Sequence, residues 1–386
     1  MEYEVAIACG RLQLRTIRED LPLPQLLDFA SRQNPRRGFL FVSRVLGKHI
    51  PCSPATMRRT YRRLARHIGP VPGPVLGIGL AETATGLGAG VADSLARDQG
   101  RDDVLFQHTT RHRLDASTLL EFDEVHSHAP EHILYAPWPD LVERYRDSAT
   151  LLLIDDEITT GRTLKRLAEQ LVGHLPWLRE LIFVSLVDWL GDTQRTRIAR
   201  DLPVETRFVS LVSGTFSFTP AAAFAPRLPA KRHRPRPGLA PARADTGRRA
   251  LALPLSGKAL EDAAAELAAS LDGRQNPVTI VATGELAFPP FLLAEHLEQR
   301  GFDVLFQGTT RSPILPGKAI TNSLDFPDEY GEGLENYLHN PPPPSRRAVI
   351  AYESPDHADS HTLREHLRAV AWVLPEGALT AASWRP

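Results

Sequence analysis

Short, continuously apolar runs alternate with segments of helical character through the first half of the chain. Val75–Ile78, Asp103–Gln107, Leu151–Ile154 and Leu181–Val187 read as buried strands, and helices are expected around Gly90–Arg97 and Leu164–Val172. Strands that are apolar at every position, rather than at every second one, mark a parallel sheet covered on both faces. The expected fold class is therefore α/β, with helices on both faces of a parallel sheet.

The same order returns further along, as Val278–Val281, a helix over Leu292–Gln299 and a strand at Asp303–Gln307. Here the repeat becomes literal. Asp103-Val104-Leu105-Phe106-Gln107 recurs as Asp303-Val304-Leu305-Phe306-Gln307, and Thr109-Thr110-Arg111 as Thr309-Thr310-Arg311, so that only His108 and Gly308 differ. Leu152-Leu153-Ile154 is matched to Ala348-Val349-Ile350, and Thr163-Leu164 to Thr362-Leu363. A common strand and helix pattern does not reproduce identities, so residues 251–386 are expected to be a degenerate α/β copy of related topology. Between the copies, residues 220–250 are rich in Pro, Arg and Ala without apolar periodicity, which predicts an extended, solvated linker. The expected division is 1–219, 220–250 and 251–386.

Composition changes this picture little. The 386 residues are 42% hydrophobic and 24% charged, which excludes a mainly disordered chain. Lys and Arg number 45 against 46 Asp and Glu, so any anion site must be local, and neither nucleic acid nor an anionic membrane is an expected partner. Cys9 and Cys52 are too few for a disulfide framework or a Cys-rich zinc site, and no run approaches a membrane span. A cytoplasmic, soluble and unprocessed protein is the expectation.

The chemistry concentrates in Leu151–Thr163, LLLIDDEITTGRT, where a buried strand runs into two acids and then a Thr/Gly-rich turn that opens a helix. A helix N-terminus offers unpaired N–H groups and a positive dipole end to an anion. Thr159, Thr160 and Thr163 add hydroxyl donors, while Asp155 and Asp156 can accept from sugar hydroxyls or face a divalent cation. Phosphate donors beside sugar acceptors suggest a ribose phosphate. Upstream, Gly77–Gly86 places Ala81, Glu82 and Thr83 in a second turn after a strand; Glu82 either faces magnesium or caps the following helix. Arg111 and Arg113, just after the next strand, can clamp phosphate oxygens or form a solvated basic turn. The stretch EFDEVHSHAPEHILY is rich in His and acid, and His126, His128 and His132 are spaced either for proton donation or for a transition metal.

The Leu151–Thr163 segment resembles the phosphoribosyl-pyrophosphate (PRPP) motif of type I phosphoribosyltransferases: four apolar residues, two acids, two variable positions and a Thr/Gly-rich loop. The resemblance implies that Asp155 and Asp156 hold the ribose 2′- and 3′-hydroxyls, with magnesium nearby. It implies that Thr159, Thr160, Gly161, Arg162 and Thr163 wrap the 5′-phosphate, and that Ala81, Glu82 and Thr83 with Arg111 meet the pyrophosphate. The His-rich stretch then falls in the place of a mobile catalytic loop, where His126 and His128 donate protons to the departing pyrophosphate. Thr159 stands where purine-salvage members commonly carry an acid, so an orotate-like arrangement is nearer. Gly38–Ser43 with Leu46–His49, and Ser213–Phe218, are candidates for a hood over the acceptor, although Phe216 and Phe218 at strand spacing also suit a core.

The second half keeps Thr309-Thr310-Arg311-Ser312-Pro313 but reads Ala351-Tyr352-Glu353-Ser354-Pro355-Asp356 where the acid pair and Thr/Gly loop would stand, so it should not bind PRPP in the usual way. The whole chain resembles proteins that join a phosphoribosyltransferase to a TRSP domain and are associated with bacterial tellurium-resistance and stress gene clusters. That resemblance implies a transferase acting on PRPP and an unknown base-like acceptor in the synthesis of a nucleotide- or nucleoside-like metabolite. A non-catalytic PRPP sensor is the alternative, and a homodimer stays open.

Overall fold

The computed structural model describes residues 1–34, 37–123, 131–225, 233–255, 258–271 and 277–379. The chain opens with β1 (Glu2–Ile7) and β2 (Gly10–Glu19), a short α1 (Leu23–Leu26), and the pair β3 (Leu27–Ser31) and β4 (Phe39–Ser43). There follow α2 (Pro54–Ile68), β5 (Val75–Gly79), α3 (Ala84–Gln99), β6 (Val104–His108) and the hairpin β7 (Thr118–Asp123) and β8 (Glu131–Tyr135). After α4 (Val142–Arg146) come β9 (Thr150–Ile158), α5 (Arg162–Val172), β10 (Glu180–Asp188), α6 (Gly191–Asp201) and β11 (Glu205–Pro220). The second half holds β12 (Leu251–Leu253), α7 (Lys258–Ser270), β13 (Val278–Ala282), α8 (Phe288–Gln299), β14 (Val304–Gly308) and the hairpin β15 (Ser323–Pro327) and β16 (Glu335–His339). It ends with β17 (Arg347–Tyr352), α9 (Pro355–Ser360), α10 (Thr362–Leu367) and β18 (Val370–Val373).

The large sheet runs β1-β2-β11-β10-β9-β5-β6-β12, with a parallel centre from β11 to β6 and antiparallel edges. Its central strands are buried on both faces, as continuous apolar runs require: Leu152 and Ile154 of β9 enter one core, Leu151 and Leu153 the other. The α5 helix covers the second face with Leu164, Leu167, Ala168 and Leu171, the stripe that a 3.6-residue period produces. Helix α2 starts where Ser53 accepts the Thr56 N–H, with Pro54 preset in its first turn.

Helix α3 begins six residues before the position expected from its sequence, because the glycines taken for a turn lie within it. They are there for close packing: a Cβ at Gly88 would stand 2.8 Å from the Phe106 ring and 3.0 Å from the Gly79 Cα.

The second sheet, β14-β13-β17-β18, is wholly parallel and repeats the order β6-β5-β9-β10. The hairpins recur too, tied by Thr110 to Ile133 in one copy and by Thr310 to Tyr337 in the other. The fold class expected from sequence holds, with one correction to the pairing of the copies. Gly79 faces both His108 and Ile154, while Ala282 faces Gly308 and Ala351, so Ile154 corresponds to Ala351 and not to Ile350. Apolar runs align equally well one residue apart, whereas the hydrogen-bonded register allows one answer. Asp155 and Asp156 therefore correspond to Tyr352 and Glu353.

The copies exchange the segments that precede their first helices. Cys52, ahead of α2, exchanges both backbone hydrogen bonds with Phe306 of β14, at 3.0 and 2.8 Å. Reciprocally, β12, ahead of α7, pairs with β6. Gly47 accepts from the Gly308 N–H at 2.7 Å and Gly247 from the His108 N–H at 2.8 Å, so the crossing is matched on both sides. One core cluster consequently contains residues of both halves, including Tyr61, Phe106, Phe291 and Phe306.

Residues 233–250, expected to belong to a solvated tether, are packed. Arg236 donates to the carbonyls of Ser360 and Asp328, Arg243 to that of Leu374, and Arg248 is fully buried. Composition counts the arginines but does not show the carbonyls and carboxylates that receive them. Among the described residues, no helix is long and apolar enough to cross a membrane.

Candidate active site

Strand β9 carries Asp155 and Asp156 at its carboxyl end, beside β5 on one side and β10 on the other, the place where open parallel sheets gather ligands. The Asp156 N–H donates to Asp155 Oδ1 at 3.0 Å. Burial, reinforced by the charge of Glu157, pushes the Asp156 carboxyl up to about 7, although Arg37 and the bond to Asp155 oppose the shift. The next residues form a loop partly open to solvent, and Gly161 turns it into α5 with φ of +67°, a conformation that favours glycine. Thr159, Thr160, Gly161, Arg162 and Thr163 thus surround the N-terminal turn of an eleven-residue helix. That turn presents N–H groups and a positive dipole end to an anion.

The second loop lies alongside. The Leu80 N–H donates to the Ile154 carbonyl at 3.0 Å, and the Ala81 N–H to Thr109 Oγ1 at 2.9 Å, which fixes Ala81, Glu82 and Thr83 next to the acid pair. Thr83 precedes α3 without a side-chain cap, and the Glu82 carboxylate pairs with Lys48 Nζ at 2.6 Å. The helix-capping role considered for Glu82 is therefore not the one adopted. Lys48, taken with Leu46–His49 as hood, instead stands at the junction of the copies and also donates to the Gly284 carbonyl.

Arg111 and Arg113 part company. Arg113 makes an exposed ion pair with Glu121 at 2.7 Å, the solvated alternative. The Arg111 backbone N–H donates to Glu285 Oε1 at 2.9 Å, and its guanidinium lies 3.4 Å from His132 Nε2. His132 is buried in β8, stacked on Phe122 and bonded through Nδ1 to Thr109 Oγ1 at 2.9 Å, which removes it from a mobile metal-binding loop. Among the described residues no group of three His, Cys, Asp or Glu could hold a metal ion. His126 and His128 lie outside the described residues.

In the segments expected as a hood, Phe39 and Phe41 of β4, Phe216 and Phe218 of β11 and Trp189 form a cluster with contacting ring centroids 4.7–5.9 Å apart, and these rings belong to or pack against the main core, the alternative that strand spacing suited. Arg37, which the sequence reading did not single out, places its guanidinium 4.6 Å from the Phe39 centroid and 2.6 Å from Glu157 Oε1. Its only sequence signal was a basic pair next to an aromatic strand.

Residues 26–215 match the family model described as a phosphoribosyl transferase, and residues 245–369 match the one described as a TRSP domain C-terminal to that transferase. The chain pairs a phosphoribosyl transferase domain with a TRSP domain. A search of curated proteins finds no match. Among solved structures, the adenine phosphoribosyltransferase of Giardia lamblia, complexed with 9-deazaadenine, is 17% identical over 50% of this chain and 97% of its own, with a TM-score of 0.35. The adenine enzyme of Trypanosoma brucei, in complex with AMP, pyrophosphate and ribose-5-phosphate, is 15% identical over 50% of this chain and 77% of its own, with a TM-score of 0.35. Orotate phosphoribosyltransferase from Aeropyrum pernix is 16% identical over 46% and 80%, with a TM-score of 0.28.

The TRSP domain repeats the scaffold of the site and fills it. Thr309 Oγ1 accepts from the Gly284 N–H at 2.9 Å, as Thr109 does from Ala81, so Glu285 takes the place of Glu82. Glu353 takes the place of Asp156. Between these two carboxylates lies the guanidinium of Arg248, 2.9 Å from Glu285 and 2.7 Å from Glu353, fully buried. Arg248 follows Gly247 as Lys48 follows Gly47, a Gly-basic pair recurring at matched positions that the sequence reading passed over.

Proposed function

We propose that the transferase domain uses PRPP to ribosylate a nitrogen of a base-like acceptor, releasing pyrophosphate. The observation that carries this reading is the convergence of Asp155 and Asp156, the α5 N-terminus and the Ala81–Thr83 loop at one end of the sheet. The acid pair accepts from the ribose hydroxyls, Thr159–Thr163 hold the 5′-phosphate, and Ala81, Glu82, Thr83 and Arg111 face the pyrophosphate. As the acceptor nitrogen bonds to the ribose C1, the C1–O bond breaks, its electron pair leaves with pyrophosphate, and the acceptor loses its proton. Positive charge on the sugar is stabilised by the acids and negative charge on pyrophosphate by Arg111 and the loop N–H groups. His126 and His128 are proposed as donors to the departing pyrophosphate.

The oxygen donors Asp155 and Asp156 would suit magnesium, which commonly binds through one or two carboxylates together with substrate phosphates. When bound it would neutralise pyrophosphate charge. For the organisation of the chain we propose that residues 1–219 form the transferase unit with its hood, that 220–250 join the units, and that 251–386 form the degenerate copy.

PRPP with magnesium should raise the thermal midpoint by mass action, and pyrophosphate should appear with the right acceptor from a panel of bases. Failure of PRPP to bind would overturn the proposal. Binding without turnover on any acceptor would turn it toward a sensor.

A further inference from the structure

The TRSP domain reaches into the transferase domain at one buried carboxylate. Glu285 is 4% exposed, and donors from both copies meet on it: the Thr110 hydroxyl at 2.5 Å, the Arg111 N–H at 2.9 Å and Arg248 Nε at 2.9 Å. Burial opposes its charge, but His112, Arg248, His108 and the Thr110 hydroxyl hold the carboxyl well below its usual range. Arg248 is itself fixed by Glu353 and by the Arg243 carbonyl, at 2.7 and 2.9 Å. Thr110 is tied further by backbone bonds in both directions with Ile133 and by accepting the His112 N–H.

The relation is not reciprocal. Glu82, the counterpart of Glu285, takes Lys48 as Glu285 takes Arg248, and Thr310 Oγ1 receives the Ser312 N–H as Thr110 Oγ1 receives that of His112, but among the described residues no hydrogen bond joins Thr310 or Arg311 to Glu82 in the way that Thr110 and Arg111 are joined to Glu285. A device that merely glued two equal copies together would be expected on both sides of the crossing. Here one carboxylate of the TRSP domain fixes the segment that presents the transferase domain's arginine.

We infer that Glu285, anchored by Arg248 and Glu353, is a positioning residue that, directly and through the buried Thr110, holds Arg111 where it meets the pyrophosphate of PRPP. The TRSP domain, its own pocket filled by an arginine, thereby completes the pyrophosphate side of its neighbour's site. The inference rests on the proposed role of Arg111.

The test compares affinity for PRPP with that for ribose 5-phosphate, which lacks pyrophosphate, in the full chain with magnesium. Glu285→Gln and Thr110→Val should each lower the preference for PRPP about tenfold, the scale of one hydrogen bond to a charged group, and leave ribose 5-phosphate binding unchanged. Arg111→Ala should lower the same preference, and Glu285→Gln should then add little to it. Equal weakening of both ligands in variants that keep their fold would overturn the inference. So would an undiminished preference in both Glu285→Gln and Thr110→Val while Arg111→Ala loses it. Thr110→Val decides the matter if Glu285→Gln does not fold. An Arg111→Ala protein that keeps the full preference overturns the clamp itself, and the inference with it.

Discussion

The two copies share a sheet order, a hairpin and a loop that ends on a glutamate, yet one leaves its acid pair partly open at a helix N-terminus and the other closes on an arginine. In the transferase domain Asp155 and Asp156 keep part of their surface accessible, whereas Glu353 of the TRSP domain is 1% exposed and paired with Arg248. A cation covalently part of the chain needs no ligand to balance two buried carboxylates. Asp155 and Asp156 stand instead beside the opening turn of α5, partly accessible to solvent. The difference teaches that a degenerate site can persist as a structural element once its ligand has been replaced from within.

The largest expected effect comes from removing that internal cation. Arg248→Ala leaves Glu285 and Glu353 buried without their partner and should cost about 3–5 kcal/mol in urea unfolding. Lys48→Ala, at the matching position of the other copy, should cost less, since Lys48 and Glu82 retain 9% and 14% side-chain exposure. Equal losses would break the comparison.

Next, Asp155→Asn with Asp156→Asn should weaken PRPP binding by about a hundredfold or more, the loss of two charge-assisted contacts, while leaving the fold intact. Calorimetry should find one PRPP per chain in the wild-type protein. A second site would contradict the filled pocket of the TRSP domain.

The raised Asp156 carboxyl predicts a pH dependence of stability in the ligand-free protein. Because its folded pKa, about 7, exceeds the ordinary aspartate value of 3.8, the folded state keeps a proton that the unfolded chain gives up between those values. Stability is therefore lost as pH rises through that window. Asp156→Asn should be more stable than wild type at pH 8 and nearly equal to it at pH 4, as urea unfolding at the two pH values would show. A stabilisation confined to pH 4 would reverse the assignment. The smallest effect is that of Arg113→Ala, which breaks an exposed pair with Glu121: less than about 1 kcal/mol in stability, and no change in PRPP affinity.

Much of the first site was legible because its signals are local. A strand end, two acids, a turn and a helix start are adjacent in sequence, and Leu151–Thr163 carries them in one stretch. Glu285, Arg248 and Arg37 were not legible, because each acquires its role from residues that only folding brings near: Thr110, Glu353 and Glu157. The repeat itself was visible in the identities around Asp103 and Asp303, but its register in β17 was misplaced by one residue. Apolar strands carry little positional information until they are hydrogen-bonded to a neighbour.

By itself the sequence determined that this protein has two related α/β units and that only the first retains an acid pair above a Thr/Gly-rich helix start. Continuous apolar runs, turn chemistry and literal identities are short-range properties, written where they act. Tertiary structure decided that the units cross, Cys52 pairing with β14 and β12 with β6, and that Arg248 fills the second pocket. It also decided that Glu285 takes hold of Thr110 and Arg111 across the junction. These outcomes depend on which buried charges find partners when two surfaces meet, and a buried carboxylate must be paired by whatever residue the fold delivers to it.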